Sequence, residues 1–76
     1  MKTLKAYQRR VVVEKMELDD RIEKLQLFAC EKNRVYDTLP GEEKIRLLDQ
    51  LRLMHDYSST LGRRIDAFAS EVMPDD

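Results

Sequence analysis

The stretch Asn33-Arg34-Val35-Tyr36-Asp37-Thr38-Leu39-Pro40-Gly41-Glu42-Glu43 decides how this chain is read, because it separates two long helical patterns. Asn33 suits the end of one helix or the cap of a single short turn running to Thr38. Pro40 fits the first position of the next helix, where no amide hydrogen is needed. Glu42 and Glu43 then occupy its first turn and favour the positive end of its dipole. Val35, Tyr36 and Leu39 are expected to fold back together as a hydrophobic plug over the end of the molecule.

Upstream, the residues from Leu4 to Glu31 contain neither Gly nor Pro. Leu4, Val11, Leu18 and Leu25 recur every seventh position, with Ile22 and Ala29 beside them, which is the spacing of an amphipathic helix over about 4–31. Gln8 and Lys15 interrupt this seam. Downstream, Leu47, Leu51, Met54, Ser58, Leu61, Ile65, Phe68 and Val72 form a cleaner stripe on a helix of about 40–72, broken only at Ser58. Each helix would be ~40–50 Å long. The turn is 32–39, and the tail 73–76 is expected to fray.

A short connection makes the two helices antiparallel. Aligning the stripes sets Leu25 near Leu47, Leu18 near Met54, Val11 near Leu61 and Leu4 near Phe68. The expected fold is all-α: one domain, residues 1–76, an antiparallel two-helix hairpin with a short turn segment. Val12, Val13, Met16, Leu27, Phe28, Leu48, Leu53 and Tyr57 lie off the stripes. Exposing them costs up to ~1.5–3 kcal/mol for each large side chain. So small a core is scant for an isolated hairpin, and assembly into a helical oligomer is therefore expected.

Composition narrows the function. The 76 residues are 38% charged with a net charge of −1, and no apolar run approaches the ~20 residues of a membrane span. Met1-Lys2-Thr3-Leu4-Lys5 carries cations where a signal peptide needs an apolar stretch, so a cytoplasmic location is expected. The lone Cys30 suits a reducing compartment and has no evident base beside it. His55, the single histidine, has no metal-ligand spacing, and no phosphate loop or nucleophile elbow is present. No metal, no cofactor and no catalysis are expected.

Charge is unevenly spread. Lys2, Lys5, Arg9 and Arg10 are the only charged residues before Glu14, and antiparallel pairing brings Arg63 and Arg64 level with them. Nearby acids are Glu14, Asp66 and Glu71. Cations gathered at one end suit a compact anionic ligand better than a long nucleic-acid track, and arginine suits phosphate. The alternative is a solvated surface. Ser58, Ser59, Thr60 and Gly62 either let two helices approach closely or offer hydroxyls beside the arginines. Tyr7 and Tyr57 are either stacking platforms or packed boundary residues.

The run from Arg9 to Leu25, Leu39-Pro40-Gly41-Glu42-Glu43, the run from Leu48 to Tyr57, and Leu61-Gly62-Arg63-Arg64-Ile65 together resemble a bacteriophage helical hairpin. This hairpin is shared by anti-CBASS sponge proteins and Thoeris anti-defence sponges, and the likeness spans about residues 8–68. It implies a non-enzymatic sponge, a homo-oligomer that is typically a hexamer. Such sponges sequester cyclic di- and trinucleotides made by host immune synthases, so that the effectors are never switched on. Thoeris members carry a further domain that helps to hold a cyclic ADP-ribose derivative, and that activity is not expected of these 76 residues. On chemistry, the expected ligand contacts are Arg9, Arg10, Arg63 and Arg64 for phosphate, Ser59 and Thr60 as polar readers, and Tyr7 and Tyr57 for stacking. The alternative function is a helical-bundle dimer that binds structured RNA or inhibits a host protein.

Overall fold

A computed structural model of the chain describes residues 3–30 and 32–72, the last two by backbone alone. The expected frayed tail, 73–76, lies outside the described residues. Three helices follow in order: α1 (Ala6–Phe28), α2 (Arg34–Asp37) and α3 (Gly41–Val72). The long helices α1 and α3 pack against each other as a hairpin, within a rod of 57 × 19 × 15 Å.

Helix α1 is shorter than its sequence pattern at both ends. Lys5 is extended, and its backbone N–H donates to Gln8 Oε1 at 2.8 Å. Gln8, an apparent interruption of the seam, thus satisfies a backbone donor that the first turn leaves open. At the other end Ala29 leaves the helical region (φ −78°, ψ 61°), while its N–H still reaches Leu25 O at 2.8 Å. The early exit lets Phe28 meet Tyr36 edge-on, with centroids 5.8 Å apart and planes at 83°.

The single turn of α2 is held by Asn33, whose side-chain oxygen accepts from Tyr36 N at 3.0 Å. Tyr36 is buried, with Lys44 Nζ 5.5 Å from its ring centroid. The plug is therefore Tyr36 with a half-buried Leu39; Val35, expected to join it, is exposed because the helical turn rotates it outward. Pro40 immediately precedes α3, and its carbonyl accepts from Glu43 N and Lys44 N at 3.0 and 3.1 Å.

The core is the expected pair of stripes. Val11, Leu18 and Ile22 of α1 are buried with Leu51, Leu61 and Phe68 of α3, and Leu4, Leu25, Ala29, Met54 and Ile65 pack against them. Leu47, expected opposite Leu25, is half-buried and stands outside this cluster. Two polar side chains, Gln8 and Ser58, are also buried, and among the described residues no buried side-chain polar atom lacks a partner. Val12 and Phe28 are half-buried, whereas Val13, Met16, Leu27, Leu48, Leu53 and Tyr57 remain exposed, together with Ile45.

Candidate ligand-binding end of the hairpin

Successive helical residues turn by about 100°. With Gln8, Val11 and Lys15 toward α3, Arg9 falls on the outer side of α1 and Arg10 on its flank. The same rule on α3, where Leu61, Ile65 and Phe68 line the seam, turns Arg63 outward and leaves Arg64 on the flank. Each adjacent arginine pair diverges.

The contacts follow this division. Arg64 lies over the Phe68 ring, its guanidinium carbon 5.9 Å from the centroid, and Tyr7 meets the same ring edge-on at 5.7 Å and 86°. Tyr57 donates its phenol proton to Glu14 Oε2 across the helix pair. The hydrogen bond to the Glu14 carboxylate holds the phenol above its ordinary range, with the Arg64 charge acting in the opposite direction. Tyr7 and Arg64 are thus brought together over Phe68 at the open end, whereas Tyr57, expected near the same end, stands midway along α3.

The remaining predicted residues are dispersed. Arg9 Nη1 donates to Leu4 O at 2.6 Å. Arg9 and Arg10 line an open groove of about 550 Å³ along α1, together with Ala6, Val13, Glu14 and Glu17. Arg63 Nη2 donates to Thr60 Oγ1 at 3.1 Å, and Thr60 in turn donates to the Asp56 carbonyl. Ser59 is exposed. Lys2 and the side chain of Glu71, expected among the charges here, lie outside the described residues.

Lys15 and Ser58, read in the sequence as breaks in their stripes, join Asp19 to shape the molecule's middle. Lys15 Nζ reaches Asp19 Oδ2 at 2.8 Å and Ser58 Oγ at 2.9 Å, and Ser58 donates to Asp19 Oδ1. The hydrogen bonds from Lys15 and Ser58 hold the Asp19 carboxyl below its ordinary value, outweighing desolvation. Gly62 belongs to this arrangement, since a Cβ there would stand 3.4 Å from Lys15 Cε, at the tight edge of contact. The signal was present: Lys15 and Ser58 are the polar breaks in their stripes, and they fall level in the antiparallel register. Farther along, Gln26 Nε2 and His55 Nε2 are 2.9 Å apart. Cys30 is a free, half-buried thiol. Among the described residues no group of three or more His, Cys, Asp or Glu could hold a metal, and no helix is long and apolar enough to cross a membrane.

Guanidinium donors and aromatic rings are the groups through which binding proteins hold ligands by hydrogen bonds and stacking. No curated protein and no solved structure gives a significant match to the chain. A family profile does: the chain belongs to the Sequestin family, matched over residues 5–67, which takes in α1, α2 and most of α3. The family's name denotes sequestering, a binding role rather than a catalytic one.

Proposed function

We propose that this protein is a phage-encoded, non-enzymatic sponge for cyclic di- and trinucleotide second messengers. By removing the messenger from solution it keeps CBASS-type anti-phage effectors of the bacterial host inactive, acting in the host cytoplasm as a homo-oligomer, a hexamer on the family pattern. The observation that carries this reading is the grouping of Tyr7 and Arg64 around Phe68 at the open end of the hairpin. Aromatic edges and a guanidinium within one patch match the two parts of a cyclic nucleotide, base and phosphate. Membership in the Sequestin family supports the sequestering role.

In this reading Arg64 and Arg10, on the flanks, make the primary phosphate contacts. Tyr7 and Tyr57 stack on bases. Arg9, Arg63, Ser59 and Thr60 face outward and reach a ligand held between neighbouring copies. Isothermal titration calorimetry of the purified protein with a panel of cyclic di- and trinucleotides tests the proposal. Stoichiometric heat with at least one of them is expected. Absence of heat with every member, in folded protein, overturns it, and binding of structured RNA that collapses with added salt favours the helical-bundle alternative.

A further inference from the structure

One flank of the hairpin runs across both long helices. Tyr7, Arg10 and Glu14 recur on α1 at steps of three and four, and Tyr57 and Arg64 lie two turns apart on α3. The two rows meet at both ends of the flank: Tyr7 and Arg64 share the Phe68 ring, and Tyr57 donates its phenol proton to Glu14. The guanidinium groups thus lie toward the open end and the carboxylate toward the middle. Arg10 and Glu14 also line the groove along α1, whose apolar wall is Ala6 and Val13.

The chain leaves this carboxylate unneutralised. Glu14 stands one turn from Arg10, the spacing of a helix ion pair. Yet among the described residues Arg10, Arg64 and Glu14 enter no ion pair. The other acid of the groove, Glu17, lies 3.8 Å from Arg21. The Tyr57 phenol engages Glu14 Oε2 and fixes the carboxylate across the helix pair, leaving Oε1 to accept from a ligand. A fixed carboxylate takes only donors. We infer that Glu14, held by Tyr57, reads the base of the bound cyclic nucleotide and selects guanine. Guanine selection rests on the sponge reading, and it gives Tyr57 a holding role in place of a stacking one.

Base chemistry decides the choice. Guanine presents N1–H and N2–H side by side, two donors for one carboxylate. Adenine sets the N1 lone pair beside its amino group, cytosine the N3 lone pair, and uracil two carbonyls around its single N–H. Each of these three turns an acceptor toward the carboxylate, and acceptors that face each other stay unpaired. Charge fixes the orientation: phosphate is drawn to Arg10 and Arg64 and repelled by Glu14, so the base edge is what meets Glu14. Arg10 and Glu14 are about 6 Å apart along the helix axis, a span that one nucleotide covers.

Isothermal titration calorimetry of the full chain with cyclic di-GMP and cyclic di-AMP, which differ only in the base, tests the selection. Cyclic di-GMP should bind about tenfold tighter or more. Glu14→Gln keeps the length of the side chain and an acceptor for Tyr57 but exchanges the free acceptor for an amide donor. It should abolish the preference while affinity for cyclic di-AMP holds or rises. Tyr57→Phe, which releases the carboxylate, should reduce the preference without removing it. Equal affinities, a preference for adenine, a guanine preference that survives Glu14→Gln, or a variant that weakens both rings alike each overturns guanine selection and leaves the sponge reading standing. Silence from both rings overturns it too, and the sponge reading falls with it only when the cyclic trinucleotides are silent as well.

Discussion

The two ends of the hairpin use the same packing device for different ends. At the turn, Phe28 and Tyr36 meet edge-on at 5.8 Å, with Lys44 over the tyrosine ring. At the open end, Tyr7 and Phe68 meet edge-on at 5.7 Å, with Arg64 over the phenylalanine ring. At the turn Tyr36 is buried beneath its own backbone turn, and Lys44 lies 3.9 Å from Asp37. At the open end Tyr7 is 45% exposed, and among the described residues Arg64 makes no ion pair. An aromatic–cation cluster that is covered and neutralised is structure. Left open with its charge unspent, the same cluster is available to an anionic, planar ligand.

This contrast can be broken most sharply at its buried half. Tyr36→Ala removes the ring that closes the turn and should lower unfolding stability by about 3 kcal/mol, read as a shift in the urea midpoint. Tyr7→Ala, the counterpart, should cost no more than about 1 kcal/mol. A comparable loss at both positions would mean that the open end is as structural as the turn.

The cations sharpen the comparison next. Arg64→Ala should weaken binding of the best cyclic nucleotide by about tenfold, equivalent to roughly 1.4 kcal/mol, with melting temperature little changed. Lys44→Ala should leave affinity untouched. Calorimetry on the two variants separates a ligand contact from a surface charge, and equal effects would remove the distinction.

A third change tests what holds the closed end in place. Asn33→Ala deletes the acceptor for Tyr36 N and should cost about 1 kcal/mol, as helix-cap losses do, measured by thermal unfolding. Smallest is a pH effect between the two ends. Asp19 has a depressed carboxyl pKa in the folded chain, so its contribution to stability is complete above its ordinary value of 3.8 and is lost as the pH falls through the lower folded value. Urea midpoints of the unaltered protein and Asp19→Asn should differ at pH 7 by less than about 1 kcal/mol and converge in acid.

Much of the fold was legible from local pattern. The alternating steps of three and four from Leu51 to Phe68 and the sevenfold recurrence from Leu4 to Leu25 named the buried faces, because burial requires that spacing on any helix; the side chain of Val72, expected on the same stripe, lies outside the described residues. The turn was less legible. Tyr36 and Val35 are neighbours of similar apolar character, and only the one-turn helix α2 decides which faces inward. Gln8, Lys15 and Ser58 read as defects because a stripe records one helix at a time. In the folded chain Gln8 closes the first turn, and Lys15 and Ser58 answer each other across the seam. The candidate site was legible as a cluster in sequence but not as a surface. Adjacent arginines count as neighbours along the chain, yet helical rotation sends Arg9 and Arg63 outward and leaves Arg10 and Arg64 on the flanks.

By itself, the order of residues determined the helices, their buried stripes and their antiparallel sense, since each follows from backbone periodicity and a short connection. Only the tertiary structure decided which polar groups satisfy one another and which charges remain unclaimed. Those outcomes depend on distances between residues up to 43 positions apart, and no local pattern encodes them.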